Sequence, residues 1–290
     1  MPIKPELIKK LDVSSASGLI RLNGKFYVVA DDDLSLISFT EAETDCNRIK
    51  LFAGSLPEDA VARKKVKPDL EALTVITSLG AILALPSGSK PNRNTGALIL
   101  SDRIQTIDFS GLFTALNEKI NDLNLEGIVE CGNAFKLFQR GNAKGAKNSI
   151  ITLQADIFVA ELQTGIVTAK SLAGIQNCNL GLLNGVPLSF TDAAVWNSAT
   201  GKKIVFLAAA EDTQTTYDDG EYRGAIFGVL NEAGEVVCKE EILSPQKPEG
   251  LCAENSVFYF VTDADDPKQK SEFYRFKFNE LSKNSRISSE

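Results

Sequence analysis

Five short blocks recur along the chain, and a period of this length dictates a repeat architecture before any single residue is interpreted. Each block is a small or acidic residue, then glycine or alanine, then an apolar residue. They are Ser17-Gly18-Leu19, Glu71-Ala72-Leu73, Glu126-Gly127-Ile128, Asp192-Ala193-Ala194 and Glu249-Gly250-Leu251. The middle positions, 18, 72, 127, 193 and 250, lie 54, 55, 66 and 57 residues apart. A second apolar run follows each block, at 26–30, 81–85, 135–139, 204–208 and 257–261. Asn23-Gly24, Thr200-Gly201 and Glu254-Asn255 precede three of these runs and supply hairpin-turn chemistry.

Further strands complete the unit at 34–39 and 48–52 in the first repeat, 97–100 and 104–107 in the second, and 225–230 and 235–238 in the fourth. Four short strands per unit of about 55 residues predict an all-β fold, a single β-propeller of five four-stranded antiparallel blades. The last repeat, 249–278, is one strand short, while residues 6–13 form a spare strand ahead of the first. Pairing the two closes the ring and removes an exposed sheet edge. The uneven intervals leave a pair of β-sandwiches, or a six-bladed ring with one degenerate unit, as alternatives. The propeller is expected over 1–280 as one domain, with a polar tail over 281–290. Leu112, Phe113, Leu116, Ile120 and Leu123 follow a helical period after Ser110-Gly111. The stretches 56–68 and 141–149 read as solvated connections. Trp196, the single tryptophan, reads as blade core.

Composition then narrows the chemistry. Among 290 residues there is no histidine, which removes Ser-His-Asp and Cys-His nucleophile activation and His-ligated zinc. Reactions must run on carboxylates, Lys, Arg, Tyr or a hard cation held by oxygen. The five cysteines, Cys46, Cys131, Cys178, Cys238 and Cys252, contain no C-x-x-C; Cys131 and Cys252 read as buried free thiols of a reducing cytoplasm. With 31 Lys+Arg against 38 Asp+Glu, a generally basic nucleic-acid binder is excluded. No apolar run reaches the ~18 residues of a membrane span. The first residues lack a secretory h-region, so a cytoplasmic location is expected, an exported form with its signal removed being the alternative. Nucleotide-loop motifs are absent, and no nucleotide or haem cofactor is expected.

Equivalent positions of a propeller's first strands form a ring around the channel. Glu71, Glu126, Asp192 and Glu249 then stand at one level, with Ser17 in the fifth place. Close like charges raise one another's pKa or call for a cation, and oxygen ligands suit Ca²⁺, with Mg²⁺ as the alternative. Two other readings stay open: each carboxylate caps backbone N–H groups of the next blade, or each contacts a ligand directly. Polar clusters after the second strands would rim the same mouth: 31–33, 87–90, 140–142, 211–213 and 263–266. Asp32, Asp212 and Asp263 are the candidate general bases. Lys90, Arg93 and Arg140 are candidates for holding an anionic group, or are salt-bridge partners of the ring. Asp218-Asp219-Gly220 and Asp263-x-Asp265-Asp266 hint at calcium loops without completing the EF-hand order.

Several blocks are familiar as a set: 68–73 (PDLEAL), 85–96 (LPSGSKPNRNTG), Leu125-Glu126-Gly127, 139–142 (QRGN), 190–194 (FTDAA), 208–220 (AAAEDTQTTYDDG) and 261–267 (VTDADDP). Together they resemble an uncharacterised group of bacterial β-propellers, distantly similar to SdiA-regulated and esterase-like phytase propellers. The resemblance covers 14–278 and implies the propeller fold. Its phytase-like relatives imply ester or phosphoester hydrolysis, often with calcium, and gluconolactonase-type propellers would also suit a carboxylate-lined channel. Only the ring carboxylates and Arg140 match, and no complete catalytic motif aligns. The expected function is binding of a divalent cation, a small polar or anionic molecule, or both, at the channel mouth, with metal-assisted hydrolysis of an ester, lactone or phosphoester open. The alternative is a non-catalytic ligand- or protein-binding propeller with a structural ring.

Overall fold

A computed structural model describes residues 1–143, 145–212, 220–264 and 266–278. The strands divide into five antiparallel sheets. Blade 1 holds β2 (Ala16–Leu22), β3 (Lys25–Ala30), β4 (Ser35–Phe39) and β5 (Asn47–Lys50). Blade 2 holds β6 (Leu70–Ile76), β7 (Ala81–Pro86), β8 (Thr95–Ile99) and β9 (Ile104–Asp108). Blade 3 holds β10 (Leu125–Cys131), β11 (Ala134–Gln139), β12 (Asn148–Gln154) and β13 (Leu172–Cys178). Blade 4 holds β15 (Val186–Ser198), β16 (Gly201–Asp212), β17 (Glu221–Leu230) and β18 (Val236–Ile242), with β14 (Leu182–Leu183) added as a fifth strand beside β15. Blade 5 holds β19 (Lys247–Glu254), β20 (Val257–Asp263) and β21 (Glu272–Lys277). Its fourth strand is β1 (Glu6–Lys10), antiparallel to β21. The ring therefore closes through the N-terminal strand, as the missing strand of the last repeat required. Arg275 ties the closure by pairing with Glu6 and with Glu41 of blade 1.

Three short helices lie between strands: α1 (Ala60–Val66), α2 (Ser110–Asn117) and α3 (Ala155–Thr164). The second is the predicted one, and its Leu112, Phe113 and Leu116 are buried. Of the other two, α3 buries Phe158 and Leu162 at an i, i+4 spacing, and α1 buries no residue. Among the described residues no helix is long and apolar enough to cross a membrane.

Burial grades outward because inner strands are packed on both faces while outer strands meet water. β7 is buried along its whole length and β5 is exposed along its own. The core is aromatic between blades 5 and 1 and between blades 4 and 5, and aliphatic between blades 1 and 2. Phe26, Phe39, Tyr259 and Phe273 join blades 1 and 5, with Phe26 edge-on to Phe273 at 4.8 Å between centroids. Trp196 lies in the core between blades 4 and 5, where its Nε1 donates to Asn255 O at 2.5 Å. Cys252 is buried, whereas Cys131 is only half-buried.

The repeat's small residue has a steric cause. A Cβ on Gly250 would stand 2.1 Å from Ser17 O of the next blade, and one on Gly18 would stand 2.7 Å from Leu73 N. In blades 1 and 5 the inner strands approach so closely at this level that only glycine fits, while blades 2 and 4 carry alanine there.

Candidate functional site

Each inner strand carries a β-bulge at the repeated block, and the bulge determines where the acidic side chain goes. In β6, Leu70 faces Pro86 and Ala72 faces Leu85, leaving Glu71 as the extra residue. Glu126 is the extra residue of β10 in the same way. In β2 and β19 the irregularity spans Ser17-Gly18 and Glu249-Gly250. Ser17, Glu71, Glu126 and Glu249 all line a cavity of about 90 Å³ at the start of the inner strands.

Blade 4 departs from this pattern. Phe190 faces Ala208 and Asp192 faces Leu207, so Thr191 is the extra residue. Asp192 does not line the cavity. Its Oδ1 accepts the Ala193 N–H and its Oδ2 the Leu251 N–H of blade 5, each at 2.7 Å. Burial pushes its carboxyl well above the usual range, against the pull of those two amides. The expected ring of four carboxylates thus closes as three, and Asp192 takes the interblade capping role. The acidic group blade 4 brings to the network is Glu211, at the far end of β16.

The mouth contains its own cations. Lys67 reaches Asp31 and, at 2.9 Å, Asp69 Oδ1. Arg93 lies 2.8 Å from Asp69 Oδ2. Arg140 bridges Glu126 at 3.0 Å and Glu211. Lys247 meets Glu211 Oε1 at 3.2 Å, Glu249 Oε1 at 3.1 Å and Asp263 Oδ2 at 3.6 Å. Burial works against ionisation of Glu211, but Arg140 and Lys247 hold its pKa down at about 2. Lys67 and Arg93 likewise keep Asp69 below its ordinary value in spite of burial. Glu71 and Glu249 behave oppositely: burial, reinforced for Glu71 by Glu126, Asp69 and Asp31, pushes both well above the carboxylate range.

The charge ledger is uneven. Asp31, Asp69, Glu71, Glu126, Glu249 and Asp263 line the cavity with Lys64, Lys67, Arg93, Arg140 and Lys247. With Glu211, seven carboxyls meet five cationic groups, an excess of two negative charges when all are ionised. Glu249 is 3% exposed, and its Oε2 has no hydrogen-bond partner. Oxygens of Asp31, Asp69 and Glu71 come within 4.8 Å of one another, a spacing that could hold a metal ion. The Lys67 ammonium already occupies the Asp31 and Asp69 side of that triad.

A lateral notch of about 160 Å³ adjoins the mouth and shares Asp31, Lys64, Lys67 and Asp263 with it. Asp32 lines the notch, accepting from Ser15 Oγ at 2.5 Å and facing Arg63 Nε at 3.2 Å. Two of the three candidate bases, Asp32 and Asp263, therefore meet at one opening, whereas Asp212 is exposed at the end of β16 and lines neither cavity. Arg93 and Arg140 are in the mouth as partners of carboxylates, and Lys90 is exposed outside both cavities. Of the suspected calcium loops, Asp218, Asp219 and Asp265 lie outside the described residues, as does the 281–290 tail. At the other end of the channel a cavity of about 220 Å³ is lined by apolar residues such as Ile20, Val75 and Val129 together with Arg21, Thr74, Thr77 and Glu130. Its charged groups are engaged, Arg21 with Glu254 and over the Phe26 ring, Glu130 with the Thr77 amide.

A protein-family model matches residues 12–278. The chain belongs to the family of unknown function DUF6929. No curated protein matches it in sequence. Among solved structures it is similar to the native arabinanase Arb43A of Bacillus subtilis at 8% identity, covering 96% of this chain and 98% of that one with a TM-score of 0.49. It is also similar to virginiamycin B lyase of Staphylococcus aureus (10% identity, 94% and 100% covered, TM-score 0.42). A third likeness is to the PQQ-bound aldose sugar dehydrogenase of Streptomyces coelicolor (9% identity, 94% and 97% covered, TM-score 0.41).

Sequence reasoning overlooked Lys67, Asp69 and Lys247. A signal for them was present: Lys67-Pro68-Asp69-Leu70-Glu71 and Lys247-Pro248-Glu249 alternate charge with period two. Within β19 that spacing puts Lys247 and Glu249 on one face, whereas Lys67 and Asp69 precede β6, with Asp69 at φ 60°.

Proposed function

We propose that this family member seats a cation among the carboxylates that line the polar mouth of its channel, and binds a small polar ligand beside it. The observation that carries the reading is the buried Glu249 Oε2 without a partner, in a mouth whose described carboxyls outnumber its cationic groups. A buried acceptor left unpaired costs about 1–3 kcal/mol, and nothing in the blade packing requires it. Hard oxygen donors suit Ca²⁺ or Mg²⁺. The Asp31–Asp69–Glu71 triad fits less well, because a metal there would have to displace Lys67. A bound divalent cation would supply Lewis acidity toward an ester, lactone or phosphoester, the classes that phytase-like and lactonase-type propellers bring to mind. Asp263 and Asp32, at the adjoining notch, stand where a general base would serve such a ligand.

The second reading is a non-catalytic propeller whose charged ring only joins blades. It draws on Asp192 capping amides of blades 4 and 5, and on the Arg140–Glu211–Lys247 chain crossing blades 3, 4 and 5. Calorimetric titration of Ca²⁺ and Mg²⁺ into chelator-treated protein separates the two. Saturable binding lost in Glu71→Gln and Glu249→Gln but retained in Asp192→Asn supports the cation seat. No binding by the wild type, with Glu249→Gln less stable than wild type, supports the joining role and sinks the first reading.

A further inference from the structure

Between Leu51 and Lys67, which are buried, no residue of 52–66 is fully buried; Leu56, Ala62, Arg63 and Lys64 are half-buried and the rest of helix α1 is exposed. Helix α1 forms within this stretch for local reasons. The Asp59 carboxylate caps it by accepting the Ala62 N–H at 2.8 Å, and Arg63, Lys64 and Lys65 suit its last turn. It stops at Lys67, which precedes Pro68 and is extended, at φ −60° and ψ 145°. At the other end Gly54 sits at φ +90° with open space around it.

What holds the helix down is polar. Arg63 faces Asp32 at 3.2 Å, Arg93 donates to Lys64 O at 3.1 Å and Asn92 to Lys65 O at 3.0 Å. Ala60, Arg63 and Lys64 form one wall of the notch. A segment without a fully buried apolar anchor opens at little cost, and partly exposed ion pairs weaken as salt screens them.

We propose that residues 53–66 are a lid on the notch, hinged at Gly54 and at Lys67-Pro68, which opens to admit a ligand and closes over it. The ligand's identity rests on the cation-seat reading, but the lid's motion does not. Hydrogen exchange read by peptide mass on the full chain tests it. At high salt the amides of 60–66 should exchange roughly tenfold faster than at low salt, while those of β6 stay slow. Arg63→Gln should exchange fast at both salts. A thiol placed in the notch by Ser14→Cys should be alkylated faster in step with that opening, whether or not Ca²⁺ binds. Exchange in 60–66 as slow and salt-independent as in β6 overturns the lid. Opening without faster alkylation of the notch thiol overturns its gating role. Loss of Ca²⁺ binding alone, with both readouts intact, would count against the cation seat and leave the lid standing.

Discussion

Glu211→Gln removes the one carboxylate that joins three blades. Its side chain is 2% exposed and meets Arg140 from blade 3 and Lys247 from blade 5. Breaking one side of a buried pair costs about 3–5 kcal/mol, because the partner charge stays buried. Arg140 keeps Glu126, and Lys247 keeps Glu249 and Asp263, so the lower end applies. The depressed pKa leads to a similar magnitude. Moving from 4.5 to about 2 corresponds to ~3 kcal/mol at about 1.4 kcal/mol per pKa unit. For a chain of this size ~3 kcal/mol lowers Tm by roughly 6–12 °C. The pH dependence has a definite sign. A carboxyl with a folded-state pKa below its unfolded value stabilises fully above the unfolded value and loses that contribution as pH falls through the folded one. Calorimetric melting of both proteins should therefore show a constant gap from neutral pH down to about 5, narrowing from about 4.5 toward 2. A variant melting within about 1 °C of wild type at neutral pH, against the several degrees expected, would refute the buried three-blade bridge.

Other consequences are as direct. Gly250→Ala puts a Cβ 2.1 Å from Ser17 O, so it should destabilise by about 3 kcal/mol or more in urea melts. Gly24→Ala has open space but a positive φ of 79°, and should cost less, about 1 kcal/mol. Asp192 has a raised folded pKa, so its contribution is complete below the unfolded value and fades as pH rises above it. Asp192→Asn should lower Tm at pH 5 through one spoiled amide contact, about 1–3 kcal/mol, and flatten the decline toward pH 8. Deleting residues 1–10 exposes the edge of β21 and strips Glu6 from Arg275, and should turn a monodisperse protein into one that self-associates on size exclusion.

Much of the fold was legible because its signals are local. Asn23 and Gly24 at φ 51° and 79° form the tight turn their chemistry announces, and α2 starts where Ser110-Gly111 placed it. The spare strand at the N-terminus and the missing strand at the end of the chain added up to one blade. Helix α1 escaped notice because it buries nothing and so leaves no apolar period. The rim was readable as a level, since Asp31, Arg140, Glu211 and Asp263 all lie at or just past the ends of second strands, but their pairing was not.

By itself the sequence determined the all-β repeat and the end of the channel at which charge collects, and pointed to five blades with six left open, since alternation, turn residues and spacing act over a few neighbours. Only the tertiary structure decided which carboxylates face the channel. The bulge falls at Glu71 in blade 2 but at Thr191 in blade 4, and that one-residue difference accompanies Asp192's place among backbone amides. A bulge belongs to the pairing of two strands, not to the residues of one. Likewise Lys67 meets Asp31, and Arg140 and Lys247 both meet Glu211, because neighbouring blades pack around the axis, a proximity that spacing along the chain does not encode.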